Sequence, residues 1–252
     1  MEPRLLTQCT LPLDISNLEV FNVHLPTVGT VNLDDTDRGK ELEILTLQLF
    51  DEAFPFGAYH SPQRQASKGM LEVCDVLAVS RITQVANEGI FVVQNKVAAT
   101  DGKIRTLDRR GATIRKNIRK AVKQSVGAIK KIKSATQLYK IDGTKIEEDC
   151  PETVSVVEPL DLAARAQEVG YGIILVSEMH EGVDWTDVFV ELVEATQETG
   201  YYHYVLDLWE MYGLIANSNR QPAILESYLI QRWEKMVSEK TAMIRSKFVH
   251  GE

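Results

Sequence analysis

Between Arg109 and Ser134 the chain places Ile118, Val122, Ser125, Ile129 and Ile132 on one helical face, with charged residues on the others. A helix of that length runs about 39 Å at 1.5 Å per residue, and its apolar stripe has to be buried against a broad surface. The residues just upstream provide one. Leu71 to Val79 and Gly89 to Ala98 are rich in β-branched residues and are separated by a turn around Asn87, Glu88 and Gly89, which predicts two adjacent strands. Two strands followed by a long amphipathic helix restrict the chain to α/β architectures.

The flanking sequence fits that class. Leu42, Leu45, Leu49 and Phe50 recur at helical spacing, with Asp37 as N-cap and with Pro55 and Gly57 closing the run. Ser61 to Lys68 reads as a polar loop, and Leu18 to Leu25 and Thr27 to Leu33 read as short strands. Downstream, Asp142-Gly143 supplies the positive-φ turn of a hairpin spanning Leu138 to Glu147. Beyond it the pattern predicts strand Thr153 to Val157, helix Asp161 to Glu168, strand Tyr171 to Val176, helix Trp185 to Thr199, strand Tyr201 to Leu208 and helix Pro222 to Lys240. The expectation is a single α/β domain over 1–252, with a central mixed sheet flanked by helices, a small hairpin excursion at 138–148 and an α/β extension over 150–252.

Several function classes drop out. No apolar run approaches the roughly 20 residues that span a bilayer, and Met1-Glu2-Pro3-Arg4 does not begin a signal peptide, so a cytoplasmic protein is expected. Cys9, Cys74 and Cys150 are odd in number and scattered, suggesting idle thiols instead of a disulfide framework or a zinc site. The five histidines, His24, His60, His180, His203 and His250, lack metal-ligand spacing, and only His60 lies near the residues singled out below. Gly170-Tyr171-Gly172 precedes a strand instead of joining a strand to a helix, so it is no phosphate loop. No Gly-X-Ser-X-Gly is present. Tyr201, Tyr202, Tyr204, Trp209 and Tyr212 are expected to pack the C-terminal half, with base stacking as the alternative.

Charge is segregated. The net charge is −8, yet Lys103 to Lys133 holds twelve Lys or Arg against the single acid Asp108, which is +11 there and −19 elsewhere. Like charges at helical spacing repel, and a polyanion relieves the repulsion. Arg109, Arg110, Arg115, Lys116, Arg119, Lys120, Lys123 and Gln124 are therefore candidate nucleic-acid contacts, DNA ahead of RNA, with an acidic protein surface, this protein's own included, as the other partner that would fit.

The two strands carry the polar residues that could do chemistry. Asp75 interrupts an apolar run, and Gln94 and Lys96 stand two apart, on one face of the second strand. Oxygen ligands can hold Mg²⁺ or Mn²⁺ against a phosphodiester, and a lysine beside them can stabilise the charge of the transition state. Two plainer readings stay open: Asp75 faces solvent on an edge strand, or Lys96 pairs with it structurally.

In this order the residues resemble the PD-(D/E)XK nuclease superfamily, the restriction-endonuclease-like fold, over roughly residues 38 to 135. The resemblance rests on the helix Glu41 to Phe54, Glu72-Val73-Cys74-Asp75-Val76-Leu77, Val93-Gln94-Asn95-Lys96 and the helix with Lys123-Gln124-Ser125-Val126-Gly127-Ala128. It implies Asp75 as central metal ligand, Gln94 as second ligand and Lys96 as catalytic lysine, with Glu41 as a further acid and Glu43 and Glu72 as its alternatives. Gln124 is similar to the helix glutamine of exonuclease-like branches. The chain departs from the pattern at Gln94, where Asp or Glu is usual, at Cys74, where proline is usual, and at Ala128, where those branches carry tyrosine. What the resemblance implies is a Mg²⁺-dependent endonuclease or exonuclease in restriction, repair or anti-phage defence, commonly dimeric. The substitution at Gln94 also fits a catalytically inactive member that binds nucleic acid or serves as an assembly subunit. A structural protein whose basic helix docks on an acidic partner is a third reading.

Overall fold

The computed structural model describes residues 38–81, 89–97, 107–134, 136–149, 160–177 and 185–250. The strands expected within 18–33 and at 153–157, the Asp37 cap, Cys9, Cys150, His24 and His180 lie outside these residues.

The fold is α/β, built on a five-stranded mixed sheet flanked by helices. The chain enters through α1 (Arg38–Ala53) and then β1 (Ala58–His60). It forms a hairpin from β2 (Gln63–Ala66) and β3 (Gly69–Glu72) and returns to the main sheet as β4 (Val76–Val79) and β5 (Ile90–Lys96). Next come α2 (Leu107–Lys133), β6 (Leu138–Tyr139) and the single turn α3 (Leu162–Arg165). The last elements are β7 (Gly170–Val176), α4 (Thr186–Thr199), β8 (Tyr202–Asp207), α5 (Leu208–Asn217) and α6 (Pro222–His250). Strand order is β1-β4-β5-β7-β8; β1, β4 and β5 are antiparallel to one another in turn, whereas β5, β7 and β8 are parallel.

Alternation along β5 assigns the two faces of the sheet. Phe91 contacts Phe50 and Phe54 of α1, and Thr46 of α1 bonds Asn95, so odd-numbered residues face α1. Ile90 and Val92 share a core with Ile129 and Ile132 of α2, so Gln94 and Lys96 face α2. All five residues predicted for the buried stripe of α2 are buried. α2 can lie close over β7 because Gly172 has no side chain: a Cβ there would come within 2.5 Å of the His203 ring and 2.8 Å of Ser125 Oγ. His203 itself is buried and neutral, its pKa pushed down to about 4 by desolvation. It is a core residue, held by Tyr201 O at 2.9 Å.

Several expectations need correction. Leu71 to Val79 is not one strand: β3 belongs to a second sheet of order β3-β2-β6, and only Val76 onwards joins the main sheet. Asp75 therefore sits just before a strand instead of inside one. The supposed loop Ser61 to Lys68 contains β2, a strand of polar residues whose ladder bonds to β3 and β6 replace the missing apolar signal. The turn at Asp142-Gly143 forms, with Gly143 at φ 88°, but its hairpin shrinks to one Tyr139–Lys145 bridge before a 3₁₀ turn at Ile146–Glu148. Helix 161–168 is one turn long, the last helix continues to His250, and α5 follows β8 directly without having been anticipated. The aromatic cluster packs as expected: Tyr201 and Tyr204 are buried, and Trp233 meets Tyr202 and Tyr204 edge-on.

Candidate functional site

One end of the main sheet collects the residues singled out from the sequence. The ladder pairs His60 with Val76 and Val76 with Val93; one step further it sets Asp75 across from Gln94, with Lys96 beyond. The same end receives the start of α1, because Glu43 of α1 lies 3.3 Å from His60 Nε2. It also receives the start of α2, since a crossover between the parallel strands β5 and β7 has to begin where β5 ends. The C-terminal edge of parallel strands is where α/β sheets gather their sites.

Asp75 is 8% exposed and grips β5 on both sides of Gln94. Its backbone N–H donates to Val93 O at 3.2 Å, and its Oδ2 accepts from the Asn95 N–H at 2.5 Å. Asp75 thus does not face solvent from an edge, and no Lys96–Asp75 ion pair forms among the described residues. Gln94 is 2% exposed and Lys96 half-buried, and neither the amide nor the ammonium has a hydrogen-bond or ion-pair partner among the described residues. On the other face, Thr46 Oγ1 donates to Asn95 Oδ1 at 2.8 Å, while Asn95 Nδ2 is buried without a partner. Thr46 and Asn95 were not singled out from the sequence, although Thr46 was legible as a polar residue on the buried face of α1, one turn from Leu42 and from Phe50.

The third acid at this edge is Glu72. Desolvation of its carboxyl, the neighbouring Asp75 charge and a hydrogen bond to Asp75 push its pKa from 4.5 up to about 7, with Glu43 adding to the effect. Cys74, free and buried between these two acids in sequence, has its thiol pushed up by burial and by both carboxylates, and is chemically idle. Glu41 is brought to this end only by lying on α1, whereas Glu72 touches Asp75 and Glu43 contacts His60. Among the described residues no group of three or more His, Cys, Asp or Glu is arranged to hold a metal ion.

The raised Glu72 makes a testable demand on stability. A carboxyl that keeps its proton in the fold stabilises fully below its unfolded pKa near 4.5, and the contribution is lost as pH rises through about 7. Glu72→Gln cannot lose the proton. Because Glu72 is an exposed side chain and water screens its interactions, the expected gain over wild type is about 1 kcal/mol at pH 8, shrinking to nothing near pH 4.5. Urea midpoints at the two pH values check this; a difference that does not change with pH contradicts it.

The cations of α2 divide by role. Arg119 is not free for a ligand: Asp187 and Glu191 of α4 both bind it, the latter at 2.8 Å. Lys130 pairs with Glu198 of α4, and Lys133 donates to Thr199 O at 2.7 Å. Arg109, Lys116, Lys120, Lys123 and Gln124 are exposed, and the side chain of Arg110 lies outside the described residues. Ala112, Arg115, Lys116, Arg119, Lys120, Lys123 and Asp187 line an open groove of about 590 Å³ along the first half of the helix. No helix of the described residues is long and apolar enough to cross a membrane.

Compared with protein-family models, with curated proteins and with solved structures, the chain matches none.

Proposed function

We propose that the protein is a metal-dependent nuclease of the restriction-endonuclease-like kind, cutting phosphodiester bonds at the Asp75–Gln94–Lys96 edge. One observation carries the reading. An amide and an ammonium with no partners among the described residues stand beside a carboxylate, at the sheet end where the cationic helix begins. The order of elements supports it: a helix, a strand entered through Asp75, a strand ending in Gln94-Asn95-Lys96, a helix over the site and a parallel strand. That is the order the sequence resemblance implies.

The donors at this edge fit a hard divalent cation. Asp75, Gln94 and Glu72 offer only oxygen, and the Gln94 amide has no hydrogen-bond partner among the described residues. With Gln94 neutral and Glu72 partly protonated near pH 7, the set is weaker than three carboxylates. Bound there, Mg²⁺ or Mn²⁺ would supply charge neutralisation and water activation. The chain's own residues do the rest. Lys96, outside any ion pair among the described residues, donates to the charge developing on the phosphoryl oxygen. Asn95 holds Asp75 in place through its N–H, and Thr46 in turn anchors the Asn95 side chain. Exposed cations of α2 hold the polyanion.

The alternative, a catalytically silent binder of nucleic acid, draws on Gln94 alone. Incubating the protein with plasmid, single-stranded DNA and RNA in Mg²⁺, Mn²⁺ or EDTA decides between the two. Cleavage that needs metal is the expected result. Binding without cleavage in either metal moves the assignment to the silent binder.

A further inference from the structure

We propose that the groove between α2 and α4 takes one nucleic-acid strand and excludes a duplex, because the wall facing the cations is acidic. This rests on the nucleic-acid reading above and goes beyond it by naming the form of the substrate. The two helices lie side by side and run the same way, with Arg119 bound to Asp187 and Lys130 to Glu198, each pair 68 residues apart in sequence. Along α2, Arg109, Lys116, Lys120 and Lys123 are exposed and follow at intervals of seven, four and three residues. That spacing makes a single file about 21 Å long. Along α4, Asp187, Glu191, Glu194 and Glu198 follow at intervals of four, three and four residues; Arg119 holds the first two and Lys130 the last, so four acids stand against two cations and Glu194 carries the uncompensated charge of the file.

A single cationic file seats one phosphate backbone. In a duplex the second backbone lies across a groove about 6 or 12 Å wide, and packed helices are about 8–10 Å apart. A duplex seated on α2 from this side therefore brings its second backbone over the acids of α4, within one Debye length of about 8 Å. The opposite flank of α2 carries Asn117 and Gln124, amide side chains suited to base edges instead of phosphates. Both helices begin at the end of the sheet that holds Asp75, Gln94 and Lys96, so a strand lying along α2 leads to that edge.

The test is fluorescence anisotropy with the full chain in EDTA, using a labelled 20-nucleotide thymidine strand and a 20-base-pair duplex over a range of salt. The single strand should bind about tenfold tighter, with log Kd rising against log salt at a slope near +2.8, about 0.7 for each of four cations. Glu194→Lys removes part of the acidic wall at an exposed position, and should raise duplex affinity about fivefold while changing single-strand affinity less than about twofold. Duplex binding equal to or tighter than single-strand binding overturns the proposal and leaves the nucleic-acid reading standing. Binding of neither at low salt overturns both. Salt-sensitive self-association in sedimentation would then assign the two complementary files to a second copy of the chain.

Discussion

Lys96→Ala is expected to lower cleavage by about 10²–10³-fold while leaving single-strand affinity within about twofold of wild type. The separation follows from where Lys96 stands. It closes β5 on the α2 face and has no ion pair to give up among the described residues, so its loss strands no carboxylate there. It is also outside the cationic file of Arg109, Lys116, Lys120 and Lys123, which carries the electrostatic part of affinity. A structural ion pair would behave in the opposite way, with stability falling and turnover following it. The readouts are therefore turnover at saturating substrate, Kd in EDTA and the urea midpoint, measured on the same protein. A drop in midpoint with a parallel drop in turnover would make Lys96 a structural residue. Lys96→Arg discriminates further, since it keeps the charge but replaces a compact donor with a planar fork.

The parts of the fold legible in the sequence are those whose signal is local. Ile90 to Val93 is a β-branched and aromatic run with no competing helical period, and α2 announces itself through Ile118, Val122, Ile129 and Ile132. β2 was missed for the converse reason: Gln63 to Ala66 has no apolar alternation, and it is a strand only because β3 and β6 bond to it. Between Glu72 and Val76 there is no glycine and no proline to mark a break, and the lone Asp75 does not end a strand pattern. The switch between sheets is made by distant partners, Pro62 O accepting from Val73 N and Val93 O from Asp75 N. α5 did carry a local signal that went unread. Asp207 accepts from Glu210 N at 2.7 Å, a carboxylate N-cap with an acid three residues on.

The candidate site divides along the same line. Asp75, Gln94 and Lys96 could be picked out because a polar residue among apolar strand residues is a local anomaly. What could not be read is which partners each group lacks. Arg119 looks like any other cation of the helix until α4, 68 residues later, brings Asp187 against it. Glu72 gains its proton affinity from burial first, and then from a carboxylate that a continuous strand would have set on the opposite side. Charge counting found the basic helix but not the acidic file beside it, because the two files belong to separate segments and meet only after both crossovers have formed on one face of the sheet.

Asp75→Asn is expected to cut cleavage by about 10³-fold or more with little change in stability, and the contrast with Asp75→Ala explains why. The carboxylate has two duties. Its Oδ2 takes the Asn95 N–H at 2.5 Å, extending the ladder one residue before β4 begins, and its charge places a carboxylate directly across from Gln94. Asparagine keeps an oxygen in the same place, so the N–H stays satisfied. Alanine leaves that buried donor without a partner, at a cost of about 1–3 kcal/mol. Removing the charge also removes one of the causes that hold Glu72 near pH 7, so the pH dependence of stability assigned to Glu72 should weaken in Asp75→Asn. Three measurements on two variants thus separate the duties: turnover falls in both, the urea midpoint falls in the alanine variant alone, and the pH dependence flattens in both. Cleavage that survives Asp75→Asn would remove Asp75 from the chemistry and leave it as the residue that fastens β4 to β5.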